Sequence, residues 1–97
     1  MTPAAPNPDP PASSGQHLAT ISHDGRFWDV YLEFEDDLRR PDMYRATLAY
    51  SAADGEKGDA LLRTIPVIIE PSYEEAMRRA RELEDHQLVA FLRSLLP

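Results

Sequence analysis

The sequence predicts an α+β fold: a four-stranded antiparallel β-meander with a C-terminal helix, or two helices, packed on one face (ββββαα). Three observations support this prediction. Asp24-Gly25 lies between two runs of alternating apolar and polar residues, a strong signal for a β-hairpin. Two more alternating runs follow the hairpin. The last third of the chain then carries apolar residues at helical spacing.

The hairpin turn sets a register for the first two strands. A two-residue turn at Asp24-Gly25 pairs His23 with Arg26 and, farther along, His17 with Leu32. Side chains alternate across a strand, so one face of the hairpin is expected to be the core, with Trp28 as its anchor. The expected core residues of the hairpin are Ala19, Ile21, Trp28, Val30, Leu32 and Phe34.

A third strand is predicted over Met43 to Ala52 and a fourth over Leu61 to Glu70. The connections, Asp36 to Asp42 and Asp54 to Asp59, are polar turns. Pro66 lies inside the fourth strand and cannot donate a backbone hydrogen bond. We therefore expect this strand at the sheet edge, or a bulge at the proline.

Helix signals begin after the fourth strand. Ser72 is the expected N-cap, with Glu75 as its capping-box partner three residues later. The apolar residues of the predicted helix that follows Ser72 form one stripe. The later apolar residues form a second stripe, rotated by about a quarter turn or more from the first. A polar interruption at 84–87 separates the two stripes, and Asp85 there could cap a second helix. We expect two helices, or one helix bent near 84–87.

The first sixteen residues differ in composition from the rest. They hold five of the nine prolines, and no apolar residue larger than alanine follows Met1. Such a segment cannot offset the entropy of ordering, so 1–16 is expected to be a disordered Pro/Ala-rich arm and 17–97 a single α+β domain. A functional interpretation is a tether or a polyproline ligand, although no Pro-x-x-Pro has a basic residue nearby.

Composition narrows the function classes. The chain has no cysteine, which excludes disulfides, thiolate metal sites and thiol nucleophiles. Seventeen acidic residues against ten basic ones give a net charge of −7, so nucleic-acid binding is unlikely. No apolar run approaches the roughly 20 residues of a membrane span. We expect a cytoplasmic protein without a membrane partner or a cofactor.

No residue cluster specifies a chemistry. Ser22, His23 and Asp24 are the residue types of a hydrolase triad, but strand neighbours point to opposite faces and Asp24 lies in the turn. His17 and His23 lie about 20 Å apart along one strand, too far to share a metal ion. The acidic loops lack a calcium-loop pattern. We therefore predict no catalytic, cofactor-binding or metal-binding residue.

The face opposite the core carries an apolar set that suggests an interface. The leading hypothesis is a non-enzymatic module of a small bacterial type that pairs with itself, as a homodimer, or with another protein. Two alternatives stay open: a small enzyme or anionic-ligand binder at the 22–26 hairpin end, and an acidic nucleic-acid-mimic inhibitor. The candidate interaction face contains Leu18, Phe27, Tyr31, Arg45, Thr47, Leu62 and Ile68.

Overall fold

A computed structural model describes residues 15–35, 43–53 and 61–96. These residues form a five-stranded antiparallel sheet and two helices, which confirms the ββββαα prediction with its fourth strand divided in two. The strands are β1 (Gln16–His23), β2 (Arg26–Phe34), β3 (Tyr44–Ala52), β4 (Leu62–Arg63) and β5 (Ile68–Glu70), followed by α1 (Tyr73–Arg81) and α2 (Asp85–Leu95).

The sheet order is β1-β2-β3-β4, and β5 pairs with β3 beside β4. Of the predicted arm, Gly15 and Gln16 are described, and Gln16 begins β1. Residues 1–14 lie outside the described part of the chain. The predicted connections at 36–42 and 54–59 lie outside it as well.

The β1–β2 hairpin has the predicted turn. Asp24 (φ 56°) and Gly25 (φ 79°) both adopt the left-handed backbone conformation of a type I′ turn. His23 pairs with Arg26, as predicted from the two-residue loop. The local turn chemistry therefore sets the register of the hairpin near its tip.

Farther from the turn, the register shifts between His17 and Ala19. His17 pairs with Tyr31 instead of the predicted Leu32, and Leu18 packs against the core cluster. The predicted position of Leu18 across from Tyr31 is therefore wrong. An extra residue in one strand reverses which side chains face inward, and here the reversal moves an apolar leucine inward and a polar histidine outward.

The fourth strand is interrupted at Pro66, where an irregularity was predicted. Tyr50 pairs with Leu62 on one side of the interruption, and Ala46 pairs with Ile68 on the other. Between them, the Thr64 hydroxyl accepts a hydrogen bond from the Leu48 amide at 3.0 Å. This side chain supplies an acceptor for β3 where the strand next to it departs from regular pairing.

The two helices cover one face of the sheet and enclose a single core cluster. Tyr50 is wholly buried, and its hydroxyl donates to the Leu88 carbonyl oxygen at 2.7 Å, which joins β3 to α2. The buried members of the cluster are Ile21, Trp28, Val30, Leu32, Ala46, Leu48, Tyr50, Ile68, Ala76, Met77, Ala80, Leu88 and Leu92. Trp28 belongs to the core, as predicted.

The predicted N-cap of α1 at Ser72 is confirmed. The Ser72 hydroxyl accepts a hydrogen bond from the Glu75 amide at 3.1 Å and caps α1. The first helix ends at Arg81 and the second begins at Asp85, so the described residues form two separate helices. Glu84, rather than the predicted Asp85, is the N-cap of α2, and it forms a capping box with Gln87.

Candidate functional site

The sheet face opposite the helices, called the open face below, carries a polar network. The Thr20 hydroxyl donates to Asp29 Oδ1 at 2.8 Å, and His17 Nε2 lies 3.1 Å from the same oxygen. The His17 ring packs edge-on to Tyr31, with ring centroids 5.4 Å apart. Burial and the neighbouring Asp29 carboxylate both raise the pKa of Tyr31. These contacts place polar atoms, not an apolar patch, along the β1–β2 half of this face.

Ion pairs cover the other half of the open face. Arg63 Nε donates to Glu33 Oε1 at 2.7 Å, and Arg45 Nε donates to Glu35 Oε2 at 3.0 Å. The hydrogen bond and charge of Glu33 raise the pKa of the Arg63 guanidinium. Ala49 lies between Tyr31 and Arg63 in the sheet and is wholly buried. The side chains of this face therefore shield its backbone from solvent.

The structure divides the predicted interaction face. Phe27, Tyr31, Arg45 and Thr47 lie on the open face, whereas Leu18, Leu62 and Ile68 pack into or against the core cluster. Leu18 turns inward because of the β1 irregularity. Leu62 and Ile68 turn inward because they pair with Tyr50 and Ala46, both core residues. Their predicted placement on the open face is wrong.

The apolar residues that remain on the open face are far apart. Phe27 is 62% exposed beside the hairpin turn, and Ile69 is 46% exposed beside Arg45 at the opposite end of the sheet. Phe27 and Ile69 lie beside opposite ends of β3, about eight residues apart along that strand. At ~3.3 Å per residue, this separation is roughly 26 Å. Among the described residues, the open face thus lacks the contiguous apolar surface that motivated the interaction hypothesis.

A contiguous aromatic surface lies instead at the end of the sheet where β1 begins. Phe34 at the end of β2, Tyr44 at the start of β3 and Tyr73 at the start of α1 form one cluster, called the aromatic trio below. The Phe34 and Tyr73 rings are 5.3 Å apart, and Tyr44 lies 6.2 Å from Phe34 and 6.5 Å from Tyr73. Tyr44 is 39% exposed and Tyr73 45% exposed.

A groove of about 530 Å³ runs beside the aromatic trio. The Tyr73 hydroxyl donates to Gln16 Oε1 at 2.9 Å and ties the start of α1 to the start of β1. Gly15 lies against β2, where an added Cβ would clash with the Leu32 carbonyl oxygen and lie 2.7 Å from Glu33 Cγ. The groove is lined by Gly15, Gln16, Leu32, Glu33, Phe34 and Tyr73.

Sequence reasoning missed this groove, although Phe34 belongs to the predicted core face of the hairpin. The available signal was position: each member of the aromatic trio lies at the first or last residue of its element. Residues at element ends extend beyond the covered core, so their rings remain partly exposed.

The 22–26 hairpin end lies outside the groove beside the aromatic trio. Arg26 stacks its guanidinium over the Trp28 ring at 5.2 Å, and His23 is partly buried. Neither the groove above nor a smaller one of about 160 Å³ between β5 and the helices includes a residue of this hairpin end.

Within 15–35, 43–53 and 61–96, no group of three His, Asp or Glu side chains is placed to hold a metal ion. No helix in those ranges has the length and apolar character needed to cross a membrane.

Comparison with known protein families, with curated proteins and with solved structures finds no match to this chain.

Proposed function

We propose that this chain is a cytoplasmic, non-catalytic protein-interaction module that binds an extended, proline-rich segment of a partner protein in the groove beside the aromatic trio. The observation that carries the proposal is the aromatic trio, in which Tyr44 and Tyr73 are exposed and Phe34 and Tyr73 line the groove. Clustered aromatic rings in a groove are the usual receptor for polyproline II segments, which bind with little loss of conformational entropy.

The charge around the groove favours an uncharged ligand. The carboxylate that lines the groove is that of Glu33, which forms an ion pair with Arg63. The neighbouring Glu70 lies 3.4 Å from Arg79, so its charge is also partly balanced. Among the described residues, no arginine or lysine lines the groove, which makes phosphorylated or acidic segments poor ligands. Proline-rich segments need no such cation, since ring-to-ring packing supplies their contact.

The chain carries proline-rich sequence of its own. Pro3 and Pro6, and again Pro8 and Pro11, have Pro-x-x-Pro spacing. In the sequence, these residues precede Gly15, a lining residue of the groove.

Calorimetric titration of the full chain with a ten-residue polyproline peptide tests the proposal. A Gly-Ser peptide of the same length is the ligand control. We expect Tyr73→Ala and Tyr44→Ala each to weaken polyproline binding at least tenfold, about 1.4 kcal/mol, because aromatic anchors dominate such contacts. Phe27→Ala is the matched control, since Phe27 is an exposed aromatic residue at the opposite end of β2.

The same titration can reject the proposal in two ways. Equal affinity for polyproline and the Gly-Ser peptide would show that the rings do not select proline. Loss of binding in Phe27→Ala, with Tyr73→Ala unaffected, would move the site to the open face and return support to the original interaction hypothesis. Circular dichroism of each variant checks that its fold is intact.

The two alternative functions have less support. An enzyme or anionic-ligand site at the hairpin end would need a concavity that neither groove provides. A nucleic-acid mimic would need carboxylates grouped on one elongated face. The described ones are instead divided between the open face, where Glu33 and Glu35 pair with arginines, and α1, where Glu75 and Glu82 pair with Arg78.

A further inference from the structure

The two edges of the sheet are built differently. The edge formed by β4 and β5 consists of pieces of two and three residues on either side of Pro66, and it carries the charged residues Arg63 and Glu70. Short strands, prolines and charges are the features that keep an edge from pairing with another chain. This edge is therefore protected.

The β1 edge lacks these features. β1 is eight residues long, and its sequence, QHLATISH, contains no Asp, Glu, Lys, Arg or Pro. In the described part of the chain, β1 pairs with β2 and with no other strand. One irregularity at Leu18 interrupts its pairing, and the five residues from there to the turn pair regularly.

Backbone contacts show which groups of β1 point outward. The Phe27 carbonyl oxygen accepts from the Ala53 amide at 2.9 Å, so the polar groups of Phe27 point toward β3. Hydrogen-bonded and non-hydrogen-bonded pairs alternate along an antiparallel ladder. Ser22 lies opposite Phe27 in a non-hydrogen-bonded pair, so its amide and carbonyl point away from β2. By the same alternation Thr20, opposite Asp29, does so too. Both residues are exposed.

We propose that β1 is a self-association surface, through which two copies of this chain pair antiparallel edge to edge about a two-fold axis at Ile21. In this arrangement Thr20 of each copy lies opposite Ser22 of the other, and the outward amides and carbonyls of both residues form four hydrogen bonds. The pairing joins two sheets into one.

Charge favours a second copy at this edge over other contacts between copies. The chain carries a net charge of −7, so most surfaces of two copies repel each other. β1 bears no acidic side chain, so pairing two copies of β1 brings no carboxylates of these strands together. Added salt screens the remaining repulsion, and we expect it to strengthen the dimer.

The contact is small, so the dimer should be weak and concentration-dependent. A pair of short edge segments buries less surface than the roughly 1,200 Å² at the lower limit of stable interfaces. The residues that pair, Thr20 to Ser22, do not line the aromatic groove, so the dimer leaves the proposed peptide-binding function intact.

Sedimentation equilibrium of the full chain, from low to millimolar concentration, tests the pairing. Ser22→Pro removes an outward amide without removing a hydrogen bond to β2, and should weaken dimerisation at least tenfold. Ser22→Ala, which keeps the amide, should dimerise like the original chain. A folded Ser22→Pro variant that dimerises as well as the original would overturn the proposal, as would a chain that stays monomeric at millimolar concentration.

Amide hydrogen exchange on the original chain provides a test that does not depend on a variant folding. We expect the Thr20 and Ser22 amides to exchange quickly in dilute solution and to become protected as concentration rises, while the Ile21 amide is protected throughout. Protection of Thr20 and Ser22 that is independent of concentration would mean that another part of the same chain covers this edge, and would refute pairing with a second copy.

Discussion

Replacing Tyr50 with phenylalanine probes the contact that joins the sheet to α2. The Tyr50 side chain is wholly buried, and its hydroxyl donates to the Leu88 carbonyl at 2.7 Å. Tyr50→Phe keeps the ring and opens no cavity larger than one oxygen. It removes a buried hydrogen bond and leaves the Leu88 carbonyl without this donor, so we expect a loss of about 1–1.5 kcal/mol.

The loss is measurable by urea and thermal unfolding. For a domain of this size, 1 kcal/mol corresponds to a shift in Tm of about 4–8 °C. We expect the urea midpoint to fall while the m-value stays constant, because the variant exposes the same surface on unfolding. Leu88→Ala, which creates a cavity at the same contact, should cost more, about 2–5 kcal/mol.

Alkaline unfolding provides a second readout of the same residue. Burial raises the pKa of Tyr50 above its ordinary value of 10.0, so the folded state favours the neutral phenol. The stabilisation is complete below about pH 10 and is lost as the pH rises above it, at up to about 1.4 kcal/mol per pH unit. Tyr50→Phe should reduce this slope. An unchanged Tm together with an unchanged alkaline slope would refute the assigned role of the hydroxyl.

Two further variants test the local structure. Ser72→Ala removes the N-cap of α1 and should lower stability by about 1 kcal/mol in urea unfolding, whereas Ser94→Ala, an exposed helix serine, should change it by less than 0.5 kcal/mol; equal losses would contradict the capping role. Gly15→Ala should push the start of β1 away from Leu32 and lower the free energy of unfolding by about 1 kcal/mol. The Gln16 amide should then exchange faster, and polyproline binding should weaken. Unchanged exchange and binding would contradict the close approach at Gly15.

Local chemistry accounts for the parts of the fold that the sequence predicted. The Asp24-Gly25 turn and the Ser72 cap each depend on residues adjacent in the chain, so their geometry follows from the residue types. The interruption at Pro66 likewise follows from a missing amide. These features needed no knowledge of distant contacts.

The errors arose where two distant segments decide the outcome. The reversal at Leu18 brings an apolar side chain to the core at the cost of regular pairing, and only the assembled core reveals that gain. The faces of Leu62 and Ile68 depend on how β3 pairs with the fourth strand, and their connection is too long to set a register.

Sequence reasoning missed the aromatic groove for a related reason. Its walls come from β1, β2 and α1, with Tyr44 of β3 behind them. Each aromatic residue alone resembles an ordinary core residue of its own element. Their grouping depends on how the ends of these elements meet, which the periodicity of a single segment does not encode.

Aromatic NMR spectra test whether a polyproline segment binds beside the aromatic trio. The full chain is labelled at tyrosine and phenylalanine and titrated with the polyproline decapeptide. The chain has four tyrosines and three phenylalanines, so few signals need to be assigned. We expect the Phe34, Tyr44 and Tyr73 signals to shift together, while those of Phe27 and Tyr31 on the open face and of the buried Tyr50 do not. Shifts centred on Phe27 and Tyr31, with the aromatic trio unchanged, would contradict the proposal.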